Sequence, residues 1–117
     1  MRGAPAHAVR RLLEALGDRM EESGYAKGCP VATVALETAA GHEQLRRTCA
    51  DTYQAWQDAL AAMLVRHGRD SAGAEAAACA VLALAEGALL LSRVAHSRTP
   101  LDRAARAAEL LIRADTA

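Results

Sequence analysis

From about Ala74 to Ser97 the chain offers a helix-length run that is apolar almost all round through Ala76–Leu91, with Glu86 as its one charged residue there. A helix without a polar face must be covered from several sides, so this segment is expected at the centre of whatever the chain builds. Roughly a quarter of all residues are alanine, the best helix former, while phenylalanine is absent and aromatics make up 3%. The β-branched and aromatic runs that strands require are therefore missing, and the expected class is all-α. A chain of 117 residues suffices for one domain with its own core, without disulfides or metals. The apolar run is too short and too alanine-rich to read as a membrane span, and the N-terminus lacks the apolar stretch of a signal peptide.

Four further helices frame this central one. From Pro5 to about Ser23, Val9, Leu12, Leu13, Leu16 and Met20 recur at helical spacing opposite Arg10, Arg11, Glu14, Asp18, Arg19 and Glu22. Gly24 closes that helix. The nearly all-apolar segment Gly28–Leu36 opens with Pro30 at a first-turn position and ends near Gly41. It predicts a short helix buried on most sides; Val31, Thr33 and Val34 would also suit a strand, but no partner strand exists. From His42 to His67, Leu45, Cys49, Tyr53, Trp56, Leu60, Met63 and Leu64 form one stripe, stopped by Gly68. After a turn from Gly68 to Gly73 comes the central helix. Thr99 then reads as a cap, Pro100 as the first helical residue, and Asp102 as an acid favouring the helix dipole. The last helix alternates Leu101, Ala104, Ala105, Ala108, Leu111 and Ile112 with Arg103, Arg106, Glu109 and Arg113. The expectation is a five-helix bundle without linker or repeat.

Fourteen basic and fourteen acidic residues are interspersed, giving zero formal net charge. Duplex binding needs a one-sided basic excess to displace counterions, and none is present. Cys29, Cys49 and Cys79 are far apart and odd in number, which fits a reducing cytoplasm better than a disulfide or zinc framework. His7, His42, His67 and His96 are scattered, three of them near helix ends, and suggest no metal set. With no nucleophile, base and acid in a recognisable array and no glycine-rich phosphate loop, the chain reads as non-enzymatic and free of cofactors.

Four features in fixed order carry a family resemblance: Gly28-Cys29-Pro30-Val31-Ala32-Thr33-Val34-Ala35-Leu36-Glu37, the Tyr53/Trp56 helix, Leu84-Ala85-Glu86-Gly87-Ala88-Leu89-Leu90-Leu91-Ser92-Arg93, and Pro100-Leu101 opening a final helix. Together they resemble the C-terminal domain of TetR-family transcriptional regulators of the LmrA/YxaF-like subgroup, over nearly the whole chain. The resemblance implies a two-fold dimer whose last two helices pair with their copies as a four-helix bundle, with an effector pocket among the preceding helices. It also implies an N-terminal helix-turn-helix domain, for which no segment of this sequence qualifies, so DNA contact is expected only through such a domain. The function implied is that of a repressor's regulatory domain, in which a small lipophilic effector alters the dimer. The rival is a ligand-free module that forms mixed dimers with complete repressors.

Candidate sites follow from these readings. For the ligand they are Cys29, Tyr53, Trp56, Leu60, Met63, Leu82 and Glu86, in a pocket between the second, third and fourth helices. Tyr53 and Trp56 could equally fill the core. Glu86 needs a partner, because a buried unpaired acid costs several kcal/mol; Arg93, two turns on, or an arginine from a neighbouring helix would serve, and a cationic or hydrogen-bond-donating effector is the alternative. Ala80, Ala83, Gly87, Leu90 and Val94 form a small-residue strip, and Gly87 would cost about 1 kcal/mol relative to alanine unless another helix approached it closely. With Ala104, Ala108 and Leu111 this strip is expected to make a self-complementary interface; packing of the same faces within one chain is the alternative.

Overall fold

A computed structural model describes residues 3–26, 28–38 and 40–114. Five helices follow one another: α1 (Ala4–Glu22), α2 (Pro30–Thr38), α3 (Glu43–Arg66), α4 (Ser71–Ala95) and α5 (Thr99–Ala114). No strand occurs among the described residues. The expected all-α class and the order of helices are both found.

Alanine decides how closely these helices lie. On α5 the inward residues are Leu101, Ala104, Ala105, Ala108 and Ile112, and on α4 they are Ala74, Ala77, Ala78, Val81, Ala85, Ala88, Leu89 and Ser92. Methyl-sized side chains leave shallow ridges, so neighbouring helices approach closely and larger residues of α1 fill the space between. Val9, Leu13 and Met20 do so, each 0–1% exposed. α4 packs on α3 along one flank and on α5 along another, while α1 lies mainly along α5. α4 is long and apolar enough, by length and composition, to cross a bilayer, more so than the sequence reading allowed. Eight of its residues are nevertheless buried in the protein core.

Helix ends account for two differences from the sequence reading. α4 begins at Ser71, three residues earlier than expected, because the Asp70 carboxylate accepts a 2.7 Å hydrogen bond from the Gly73 amide. Gly73 is thus part of the first turn, and only Gly68, at φ +101°, makes the bend. At α5, Thr99 is helical rather than the cap: the Arg98 carbonyl accepts the first helical bond from Asp102, and the Ser97 hydroxyl oxygen accepts from the Thr99 amide. His42 caps α3, its ring accepting from the Leu45 amide. Glu43 in that first turn is held down at about 2 by Arg46 and Arg47.

α1 is fastened at two points. Arg10 bridges Glu109 of α5 at 2.8 Å, which holds that carboxyl below the usual range. Arg98, in the α4–α5 turn, reaches Asp18 at 2.9 Å, Glu21 at 3.1 Å, Asp102 at 3.2 Å and the Glu14 carbonyl at 3.3 Å. Its guanidinium passes over Gly17, where a Cβ would come within 2.6 Å of Nη2. Replacing Arg98 by methionine is expected to lower stability by about 1–2 kcal/mol, since the acids are exposed but the carbonyl contact is part-buried. Urea denaturation would measure this. In that background Gly17→Ala should gain roughly 1 kcal/mol of helix propensity, a gain the wild type forfeits by displacing Arg98.

Candidate functional site

α2 is the least embedded element. It packs chiefly on α3, tied there by the Cys49 thiol approaching the Val31 carbonyl at 3.9 Å, and none of its described residues is buried. The expectation of burial on most sides is therefore wrong, although the preference for helix over strand is right. Its apolar residues cover an open space instead of a packed core: Pro30, Thr33 and Val34 look into a cavity of about 1160 Å³. That volume lies at or above the upper end for small-molecule pockets, on the order of 300–1000 Å³.

The other walls come from α1, α3 and α4. Six of the seven sequence-derived candidates line the cavity: Cys29, Trp56, Leu60, Met63, Leu82 and Glu86. Tyr53 does not. It stands behind the wall, its ring edge-on to Trp56 at 5.6 Å and 79°, and its hydroxyl donates to Glu86 Oε2 at 2.9 Å. The acid in the apolar helix is thus satisfied by a phenol. Arg93, one of the arginine partners that the sequence offered, lines the same cavity but forms no ion pair with Glu86 among the described residues.

The electrostatics keep both neutral neighbours of Glu86 protonated. Burial pushes the Tyr53 hydroxyl well up, and its hydrogen bond to the Glu86 carboxylate adds to that. Burial likewise raises the Cys29 thiol, with Glu86 contributing and the backbone amides at the start of α2 opposing. A protonated, part-buried thiol is a poor nucleophile and a weak donor. Nothing here activates a hydroxyl or thiol for chemistry, and the described residues hold no group of three or more potential metal ligands.

Sequence reasoning missed the contribution of α1. Leu12, Leu16, Arg19 and Met20 line the cavity, although the pocket is expected from sequence between the second, third and fourth helices. The apolar stripe of α1 is wide enough to split: Leu13 belongs to the core with no exposure, whereas Leu12 beside it is 46% exposed at the cavity. Periodicity marks an apolar stripe but not which part of it meets a void.

The second group of candidates divides between the inside and outside of the bundle. Ala83, Gly87, Leu90 and Val94 are exposed on the outer face of α4, and Ala80 and Leu111 are half-buried. Ala104 and Ala108, by contrast, are buried within the chain, at 8% and 0% exposure. For these two the packing is intramolecular, because α5 carries alanine on both of its faces and the inward set receives α1 and α4. Leu91 and Leu110 are exposed large apolar residues that sequence reasoning passed over. Between α4 and α5 a shallow groove runs past Ala83, Gly87, Leu91, Val94 and Ala107. A Cβ on Gly87 would meet nothing within 4 Å.

Comparisons with known proteins agree on one family. Residues 5–107 match the family described as transcriptional regulator LmrA/YxaF-like, C-terminal domain. The HTH-type transcriptional regulator LmrA of Bacillus subtilis is 32% identical over 97 residues, covering 83% of this chain and 52% of that protein. An uncharacterised HTH-type regulator of the same organism, YxaF, is 27% identical over 109 residues, covering 93% and 57%. Another from Mycobacterium tuberculosis is 33% identical over 102 residues, covering 78% and 52%. The chain spans about half the length of these relatives.

Proposed function

The chain belongs to the LmrA/YxaF-like C-terminal domain family of TetR-type transcriptional regulators, and on that premise we propose that it senses a small, largely apolar effector and pairs with a second copy of itself. It is a regulatory domain and not an enzyme, in keeping with the regulators it resembles. The observation that carries the sensing half is the cavity of about 1160 Å³, walled by four helices.

What makes that cavity regulatory is its share of α1. Leu12, Leu16 and Met20 face the cavity, while Asp18 and Glu21 on the same helix are held by Arg98. An effector that filled the space would act on the helix the α4–α5 turn holds in place. It shifts the balance between two placements of α1 only by binding one better than the other. In a complete repressor that shift would alter the spacing of the paired DNA-reading elements.

Support for pairing comes from the outer face of α4 and α5. Leu90, Leu91, Val94 and Leu110 are 57–77% exposed there, a concentration of apolar surface unlike the scattered exposure ordinary for a monomer. Gly87, in the middle of that face, costs about 1 kcal/mol in helix propensity. Nothing among the described residues needs the space it leaves; a second copy approaching closely would.

Trp56 is the single tryptophan and lines the cavity, so its fluorescence is the test of sensing. Titration with a panel of lipophilic small molecules is expected to quench or shift its emission saturably for at least one class. Emission unchanged across the panel would leave the ligand-free module that makes mixed dimers as the reading.

A further inference from the structure

On the cavity wall, one carboxylate stands near an aromatic pair and has no ion-pair partner among the described residues. Glu86 is half-buried in an otherwise apolar stretch of α4, and the groups that hold it, the Tyr53 phenol and the nearby Cys29 thiol, are both neutral. Tyr53 joins two features: its hydroxyl holds Glu86 at 2.9 Å and its ring meets the Trp56 ring edge-on at 5.6 Å. We propose that Glu86, with Trp56 beside it on the cavity wall and Tyr53 holding it from behind, takes a positively charged nitrogen, so that the effector is a lipophilic cation. This rests on the reading of the cavity as an effector site.

The chemistry follows from what each group lacks. A carboxylate partly removed from water and held only by neutral donors gains most from a cation. The hydroxyl takes only Oε2 of a carboxylate that lines the cavity. An indole face adds attraction for a quaternary or protonated nitrogen that an uncharged carbon of the same size does not receive. The remaining apolar wall, including Leu60, Met63 and Leu82, accepts a hydrocarbon or aryl body.

Two arginines also line the cavity, and they set the opposing possibility. Arg19 and Arg93 are both exposed, where water and salt screen them, so they reward an anion less than the half-buried acid rewards a cation. They also give the lining more positive than negative charge. The selection therefore comes from local contact with Glu86 and not from the cavity's net field.

The test is a series sharing one body: a phenylalkyl trimethylammonium ion, its uncharged analogue with carbon in place of nitrogen, and the matching phenylalkyl carboxylate. Binding to the whole chain is measured by calorimetry at fixed salt. The ammonium is expected to bind at least about tenfold more tightly than the uncharged analogue, and Glu86→Gln, which keeps an acceptor for Tyr53, is expected to erase that difference without weakening the uncharged compound. Equal binding of ammonium and uncharged analogue, or tightest binding of the carboxylate, overturns the cation assignment and leaves the sensing reading intact. If no member of the series binds while other lipophilic molecules shift Trp56 emission, the cation assignment alone falls. If nothing binds at all, both fall.

Discussion

Replacing Leu13 by alanine should lower the unfolding free energy by about 3 kcal/mol, whereas Leu12→Ala, one residue away, should cost under about 1 kcal/mol. Leu13 has no exposed surface, and the buried faces of α4 and α5 are mostly alanine, so the lost isobutyl group leaves a void that alanines cannot collapse to fill. Leu12 is 46% exposed where it meets the cavity, and its removal merely enlarges a space already present. For a domain of this size the larger loss corresponds to a fall of roughly 10 °C in Tm. Thermal unfolding followed by circular dichroism, at one protein concentration because pairing adds to apparent stability, would measure both. Equal losses at the two positions would mean that α1 turns a different face to the core.

The second large effect concerns pairing. Leu91→Glu combined with Val94→Glu is expected to convert a dimer at micromolar concentration into a monomer, raising its dissociation constant at least about a hundredfold. Both side chains stand on the outer face of α4, 61% and 77% exposed. In a two-fold interface each substitution is presented twice, so new carboxylates lose apolar burial and also meet their own copies. Leu36→Glu is the control, since Leu36 is 82% exposed on α2, away from α4 and α5, and should leave the association unchanged. Sedimentation velocity separates the outcomes. A wild-type chain that is monomeric at these concentrations would remove the pairing proposal, and one that loses its dimer through Leu36 would relocate the interface.

The two effects bear on different parts of one mechanism. Leu13 anchors the helix that lines the cavity on one side and is held by Arg98 on the other, while Leu91 and Val94 lie on the opposite surface of α4. α4 therefore carries cavity wall, core and outer face at once. Within two turns, Glu86 lines the cavity, Leu89 lines it too while belonging to the core, and Leu91 lies on the outer face. A helix with no polar face is what such a position requires.

How much of this was legible beforehand depends on whether a feature is local. The abundance of alanine, the absence of phenylalanine and the punctuation by Gly24, Gly68 and Pro100 determine five helices in order, because propensity and stop signals act within a few residues. The central place of α4 was equally legible, since an apolar helix has no other way to avoid water. Gathering Cys29, Trp56, Leu60, Met63, Leu82 and Glu86 around one space was read partly from family resemblance, and the structure places all six on its walls.

What the sequence could not decide were the choices made between helices. It did not reveal that Tyr53 rather than Arg93 would hold Glu86, because a partner 33 positions away is set by the packing of α3 on α4. It did not show that α2 would stand off the core, that α1 would form a cavity wall, or that Ala104 and Ala108 would turn inward while Leu91 and Leu110 turned out. Alanine on both faces of a helix gives periodicity little to read, and an apolar stripe looks the same whether it meets another side chain or an empty space. The sequence by itself thus determined a bundle built around an apolar helix; the crossing of its helices, which no single segment encodes, decided where that bundle would be hollow.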